Sequence, residues 1–65
     1  MNIEINGKTM CTDACTVSRL AEELRIPAAG TAIAVNGAMV PRAGWNEKKL
    51  NDGDKVLIIR AACGG

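Results

Sequence analysis

The chain opens with apolar and polar residues in alternation. Ile3 and Ile5 are flanked by polar residues, and this period of two predicts a strand with one buried face. The Asn6-Gly7 pair that follows predicts a tight hairpin turn, because both residue types tolerate positive φ. We therefore expect a β-hairpin whose second strand covers about residues 8–12.

The period changes between Thr16 and Pro27. Apolar residues now recur at i, i+3, i+4 and i+7, which is the spacing of a helix with one apolar stripe. The stripe consists of Val17, Leu20, Ala21 and Leu24. Thr16 is suited to be the N-cap, since its hydroxyl accepts a hydrogen bond from a free backbone N–H. Pro27 should end the helix, with Ile26 before it in an extended conformation.

Two further strands are predicted around a second Asn-Gly pair. The segment 31–36 carries β-branched residues on one face, and Asn36-Gly37 predicts another tight turn. A short strand at residues 39–40 should stop at Pro41, which has no backbone N–H to donate.

A longer connection, residues 41–50, leads to the last strand. Trp45 and Leu50 are its large apolar residues, and we expect both to anchor the connection in the core. The Asn-Asp-Gly-Asp stretch at 51–54 predicts a turn rather than a cation site. A final strand should cover residues 55–60.

The last strand is apolar on both faces. Val56 and Ile58 point one way and Leu57 and Ile59 the other, whereas a strand covered on one face alternates apolar with polar residues. Two interpretations remain open: both faces are covered, or the face opposite the helix carries an apolar patch for a partner. In the second case Leu57 and Ile59 are the predicted partner-binding residues, with Arg60 beside them.

The order of elements predicts the fold class. Two hairpins flank one helix, and this favours an α+β domain in which the helix packs on one face of a mixed sheet. We assign residues 1–60 to this domain and residues 61–65 to a flexible C-terminal tail.

Composition argues against several classes of function. The net charge is +1 with acids and bases interspersed, whereas nucleic-acid binding needs a concentrated basic field. No apolar run approaches the ~20 residues that span a membrane, and no signal peptide opens the chain. We therefore expect a cytoplasmic protein with neither a nucleic-acid nor a membrane partner.

The chain has three cysteines and no histidine. An odd count without a signal peptide indicates reduced thiols, so Cys11 and Cys15 are interpreted as buried or incidental. Without histidine, zinc would need three thiolates and a carboxylate, and the Cys11–Cys15 spacing is not the close pair that zinc sites favour. We predict no metal site.

The chain ends in small side chains, Ala61-Ala62-Cys63-Gly64-Gly65. Glycine packs nothing and loses much conformational freedom when ordered, so this tail is suited to entering a narrow channel rather than to completing a fold. It would present the α-carboxylate of Gly65, which becomes electrophilic when ATP converts it to an acyl-adenylate. A sulfur nucleophile can then capture the acyl group, and no step needs a catalytic side chain of this protein.

Several of these motifs resemble one family. The segments VNGAMVPRAGW (35–45) and LNDGDKVLIIRAACGG (50–65), with the opening strand and the single helix, resemble the thiamin-biosynthesis sulfur carriers, the ThiS family of the ubiquitin-like β-grasp superfamily. The terminal Gly-Gly is shared by all ubiquitin-like carriers, whereas Val-Pro-Arg followed by Trp45 indicates the thiamin branch. The resemblance implies a β-grasp sheet of four to five strands, with the first and last strands parallel at its centre.

The resemblance also implies a function. An E1-like adenylyltransferase would activate Gly65 with ATP, no cofactor being bound permanently, and a cysteine desulfurase or another donor would supply sulfur. The resulting thiocarboxylate would donate sulfur to the thiazole of thiamin on a thiazole synthase, so the protein is a co-substrate carrier and not an enzyme. Gly64, Cys63 and Ala62 would thread into partners, and Arg42 is a weaker candidate for partner contact.

Alternatives remain at this point. The small subunit of a molybdopterin synthase would share fold, tail and chemistry. A ubiquitin-like modifier would be joined through Gly65 to lysines of target proteins, and a plain interaction module would not need its glycine tail. Cys63 stands where the resemblance implies an aliphatic residue or alanine; we interpret it as a small residue that fits a channel, with a chemical role next to Gly65 as the alternative.

Overall fold

The structure is a computed structural model and describes residues 1–27 and 29–60. Within these residues it contains five strands, one α-helix and one 3-10 turn. In chain order they are β1 (Asn2–Ile5), β2 (Lys8–Cys11), α1 (Val17–Glu23), β3 (Thr31–Val35), β4 (Ala38–Val40), the 3-10 turn (Arg42–Gly44) and β5 (Lys55–Arg60). The predicted tail, residues 61–65, lies outside the described residues.

The strands form one mixed sheet in the order β2-β1-β5-β3-β4. The first and last strands, β1 and β5, run parallel at its centre, and the two hairpins β1-β2 and β3-β4 are antiparallel. The sheet and the single helix therefore confirm the predicted α+β class and the β-grasp arrangement.

Both Asn-Gly turns form as predicted. Asn6 and Gly7 have φ of 49° and 85°, and Asn36 and Gly37 have φ of 52° and 84°, the pair of positive values that a two-residue hairpin turn requires. The strand expected to include Asn36 ends one residue earlier, at Val35, because Asn36 takes this left-handed conformation.

The strand expected to reach Thr12 also ends one residue earlier, at Cys11. Thr12 is buried, and its hydroxyl donates a hydrogen bond of 2.7 Å to Oε2 of Glu23. The same hydroxyl oxygen accepts a hydrogen bond from the backbone N–H of Ala14 at 3.1 Å. Thr12 thus links the end of the first hairpin to the helix.

The helix begins as predicted but ends earlier than predicted. The Thr16 side chain accepts a hydrogen bond from the backbone N–H of Arg19 at 3.2 Å. The prediction that Pro27 ends the helix is wrong, since the last helical residue is Glu23. Arg25 adopts a φ of 55°, and the next N–H, that of Ile26, donates back to the carbonyl of Ala21. This is the hydrogen bonding of a Schellman motif, which stops a helix without proline.

The core lies between the helix and one face of the sheet. The most deeply buried side chains are Ile3, Val17, Leu20, Ile33 and Val35. The connection after β4 is anchored as predicted, with Trp45 and Leu50 both buried. Trp45 also donates a hydrogen bond from Nε1 to the carbonyl of Val40 at 3.0 Å, which satisfies its one polar atom inside the core.

Candidate functional site

The two faces of β5 have different surroundings. Val56 is buried and Ile58 is half-buried against the core, whereas Leu57 and Ile59 on the other face are 49% and 50% exposed. Of the two interpretations left open by the sequence, coverage of both faces is therefore wrong for the described residues, and binding of a partner to the exposed face stays a prediction. The face of the sheet opposite the helix carries exposed aliphatic side chains.

Sheet register shows which residues share that face. Leu57 and Met39 both pair with Ala34, one from each side, and Ile59 pairs with Ala32. Side chains of directly paired residues lie on the same face of a sheet. We call these five residues, Ala32, Ala34, Met39, Leu57 and Ile59, the open-face patch.

Met39 is the most exposed member of the open-face patch, at 63%. The sequence pattern did not identify it as a site residue, because the strand that carries it is only three residues long. Its face becomes evident only from its pairing with Ala34. A short strand gives too few alternations for a period to be recognised.

Charged side chains lie at the ends of β5. Lys55 is exposed and, two residues before Leu57, shares its face, where it pairs with Glu4 of β1. Arg60 is exposed at the other end, and alternation along the strand turns it away from the open-face patch. Arg42 is exposed in the 3-10 turn, outside the sheet. The structure thus groups Leu57 and Ile59 but does not place Arg42 or Arg60 on the same face as them.

Asn36 and Asp54 hold the beginning of β5. Oδ1 of Asn36 accepts a hydrogen bond from the backbone N–H of Lys55 at 2.9 Å, and Nδ2 donates to Oδ1 of Asp54 at 3.0 Å. Oδ2 of Asp54 accepts from the backbone N–H of Asn51 at 2.9 Å. The Asn51 and Asn36 hydrogen bonds, with a smaller contribution from the charge of Lys48, hold the pKa of the buried Asp54 carboxyl below its ordinary value despite the opposing effect of burial.

Asn6 makes a second set of hydrogen bonds, to the middle of β5. Its Oδ1 accepts from the backbone N–H of Ile58 at 2.8 Å, and its Nδ2 donates to the carbonyl of Ile58 at 3.2 Å. These two residues are 52 positions apart in the chain. The sequence predicted the turn at Asn6 but not this contact, since no local pattern encodes a partner so far away.

The predicted reactive end lies outside the described residues. β5 ends at Arg60, and Ala62, Cys63, Gly64 and Gly65 follow after one further residue, Ala61. Their roles stay predictions. The open-face patch extends along β5 to Ile59, so it lies next to the point where the tail begins.

The cysteines and carboxylates of the described residues form no cluster of metal ligands. Cys11 and Cys15, interpreted above as buried or incidental, are both exposed, so they are not buried, and the interpretation as incidental thiols stays a prediction. Within residues 1–27 and 29–60, no three cysteine, aspartate or glutamate side chains are grouped as metal ligands. No helix of these residues is long and apolar enough to span a bilayer.

A β-grasp body with an apolar open face, followed by a glycine-ended segment, is the design of a ubiquitin-like carrier protein. The sequence model of the ThiS family matches residues 2–65. The chain is also 38% identical over 66 residues to the sulfur carrier protein ThiS of Escherichia coli (strain K12), with 100% of both chains covered. The chain therefore belongs to the ThiS family, the sulfur carrier proteins of thiamin biosynthesis.

Solved structures agree with this assignment. The crystal structure of the thiamine biosynthesis protein ThiS from Geobacter metallireducens superposes with a TM-score of 0.84 at 28% identity, and 100% of each chain is covered. An NMR solution structure of a thiamine biosynthesis protein from the same organism gives a TM-score of 0.82 at 28% identity, covering 100% of this chain and 88% of that one. The predicted thiamin branch is thus confirmed over the molybdopterin synthase alternative, and the class is a carrier rather than an enzyme.

Proposed function

We propose that this carrier works through the α-carboxylate of Gly65. On an E1-like adenylating enzyme, a carboxylate oxygen attacks the α-phosphorus of ATP, pyrophosphate leaves, and an acyl-adenylate forms. The terminal sulfur of a persulfide, supplied by a cysteine desulfurase or a comparable donor, then attacks the carbonyl carbon, and AMP leaves. A second thiol cleaves the resulting acyl disulfide, which releases the thiocarboxylate and leaves the two thiol sulfurs joined as a disulfide.

The thiocarboxylate then passes its sulfur to the thiazole of thiamin on a thiazole synthase. The carrier's body supplies recognition and not chemistry in this scheme. The chain has no histidine, so the side chain that most often acts as general base near neutral pH is missing. ATP-dependent activation also suits the cytoplasm, which we propose as the compartment.

The open-face patch is the observation that carries this proposal. Leu57 and Ile59, on the strand β5 that leads to the tail, are about half exposed. Met39, on β4 beyond the intervening β3, is more exposed still. A contiguous apolar surface on a small monomer marks an interaction site. We expect the adenylating enzyme to cover this patch while the tail, with Ala62, Cys63 and Gly64 as its narrow part, enters the nucleotide pocket.

Charge would orient the docked carrier. Lys55, Arg60 and Arg42 are exposed cations around or beyond the patch, and rim charges affect the rate of encounter more than the final affinity. Arg42 lies in the 3-10 turn outside the sheet, so its contribution should be smaller than that of Lys55 beside Leu57.

The first experiment tests the chemistry. The full chain is incubated with ATP, a sulfide source and the adenylating enzyme of the same organism, and the intact protein is weighed. We expect the mass gain that replaces one oxygen by sulfur, dependent on ATP. A product joined to lysines of other proteins would instead identify a modifier, and an unchanged mass would refute the proposal. Cys63→Ser tests the thiol: an unchanged yield assigns Cys63 to fitting the channel.

A second experiment separates docking from chemistry. Deleting Gly64 and Gly65 should abolish the mass gain, yet the shortened chain should still compete with the full chain for the adenylating enzyme, since the open-face patch is intact. Adding Leu57→Asp to the shortened chain should remove this competition, because a carboxylate cannot be buried unpaired at low cost. Competition that survives Leu57→Asp would place docking elsewhere.

A further inference from the structure

The central strand β5 extends beyond its parallel neighbour. β1 pairs with β5 at Glu4↔Lys55 and Ile5↔Val56, after which the chain turns back through Asn6 and Gly7. β5 continues to Arg60. On the β1 side, therefore, no strand of the described residues pairs with β5 beyond Val56.

The side chain of Asn6 takes the place of the missing strand residues. Its backbone N–H donates to the carbonyl of Val56 at 3.0 Å. Its planar amide then bonds both backbone groups of Ile58, accepting from the N–H at 2.8 Å and donating to the carbonyl at 3.2 Å. An amide with one donor and one acceptor in a plane reproduces the hydrogen bonds that a neighbouring strand would make. Asn6 thus prolongs the pairing of β5 by two residues.

The second turn asparagine holds the opposite end of the same strand. Asn36 bonds the backbone of Lys55, its N–H donating to the carbonyl at 2.7 Å and its Oδ1 accepting from the N–H at 2.9 Å. Lys55 is the first residue of β5, whereas Ile58 lies two residues before the end. Asn36 therefore holds the first residue of β5, and Asn6 holds Ile58 near its end, on the side opposite β3, which pairs with β5 as far as Arg60.

We propose that Asn6 is a positioning residue for sulfur loading, and this rests on the function proposed above. By holding Ile58 on the side without a strand, Asn6 sets the direction of the last described residues of β5 while the open-face patch is docked. Once that hold is lost, Ile58 keeps its backbone pairing only on the β3 side, where β3 pairs with β5 as far as Arg60, and the last residues of β5 sample more directions about that one neighbour. The partner must then order them on binding, which costs affinity. The chemistry itself takes place at Gly65 and is unaffected.

The test is a matched pair of substitutions, Asn6→Gly and Asn36→Gly. Both asparagines have positive φ, and glycine adopts such values without strain, so each variant keeps its turn and loses only side-chain hydrogen bonds. With the adenylating enzyme in a pyrophosphate-release assay, Asn6→Gly should raise KM for the carrier about three- to tenfold with kcat unchanged. Asn36→Gly should leave KM unchanged, although it lowers the free energy of unfolding at least as much, because it also gives up the bond to Asp54.

Amide hydrogen exchange supplies a readout that does not depend on the enzyme. Once exchange rates are corrected for the difference in global stability between the variants, the N–H of Ile58 should exchange faster in Asn6→Gly than in Asn36→Gly. Equal KM values for Asn6→Gly and the natural chain, or an equal rise in both variants, would overturn the role of Asn6 while leaving the proposed function standing. If the natural chain itself gains no sulfur, the proposed function fails and the role of Asn6 fails with it.

Discussion

The two faces of the sheet carry similar side chains but differ in what covers them. On the helix side, Ile33 and Val56 are buried; on the open side, Leu57 and Ile59 are half exposed. Aliphatic residues on the first face stabilise the folded chain, since burial removes their surface from water. Aliphatic residues on the second face contribute most of their burial free energy only when another protein covers them. The same strand therefore serves folding with one set of side chains and, in the function proposed above, recognition with the other.

The largest expected effect is on the covered face. Ile33→Ala should lower the free energy of unfolding by about 2–5 kcal/mol, because it leaves a cavity against the helix where Ile33 is 0% exposed. Urea denaturation followed by the fluorescence of Trp45 measures the change. Ile33→Val, which should cost about 0.5–1.5 kcal/mol, keeps the comparison measurable if the alanine variant does not fold. A cost below the valine range for the alanine variant would contradict the assignment of this face to the core.

The second effect concerns the polar contact that holds β5 in place. Asp54→Asn should lower the free energy of unfolding at pH 7 by about 1–3 kcal/mol, because it replaces a charged acceptor of two hydrogen bonds. The folded-state pKa of Asp54 is lowered. The stabilisation is therefore complete above the pKa of the unfolded carboxyl, about 3.9, and is lost as the pH falls through the folded-state pKa.

Urea denaturation of both proteins across the acid range checks this. The difference between the natural chain and Asp54→Asn should be constant from pH 7 down to about pH 5 and narrow below pH 4. A difference that stays constant to the lowest pH at which both proteins fold would show that the charge of Asp54 contributes nothing.

Two neighbouring isoleucines allow the most direct comparison of the faces. Ile58→Ser should lower the free energy of unfolding by about 1–2 kcal/mol, since Ile58 is packed against the core. Ile59→Ser should change it by no more than about 0.5 kcal/mol but weaken binding to the adenylating enzyme about tenfold, because Ile59 is 50% exposed within the open-face patch. Calorimetric titration with the enzyme measures affinity. If Ile59→Ser binds as the natural chain does, the open face is not the docking surface.

Local sequence patterns predicted most of this fold, because its turns and strands are encoded by neighbouring residues. The Asn-Gly pairs at 6–7 and 36–37 define both hairpins, and Thr16 defines the start of the helix. The predicted end of the helix was wrong because no local sequence pattern marks Arg25 as left-handed, whereas proline is a recognisable signal for the end of a helix.

The candidate site was predictable only in part, for a related reason. The absence of polar alternation in β5 indicated Leu57 and Ile59, but Met39 joins them only through the register of a three-residue strand. The hold of Asn6 on Ile58 spans 52 positions. Such contacts depend on how the elements pack against one another, and they cannot be predicted from local patterns in a single sequence.

The smallest expected effect concerns the helix that covers one face. Arg25→Gly should raise the free energy of unfolding by about 0.5–1 kcal/mol, because Arg25 has a φ of 55° and glycine relieves the strain of that conformation at a helix end. Arg19→Gly is the matched control: Arg19 is exposed and helical, so the same replacement should cost about 1 kcal/mol.

The opposite signs separate backbone strain from loss of the arginine side chain, which both variants share. Urea denaturation measures both, and the affinity for the adenylating enzyme should not change in either variant, since both positions lie on the side of the sheet away from the open-face patch. A loss of stability in Arg25→Gly would mean that contacts of the arginine side chain outweigh the strain. A loss of affinity in either variant would show that the helix side also takes part in docking, and the division of labour between the two faces would then be wrong.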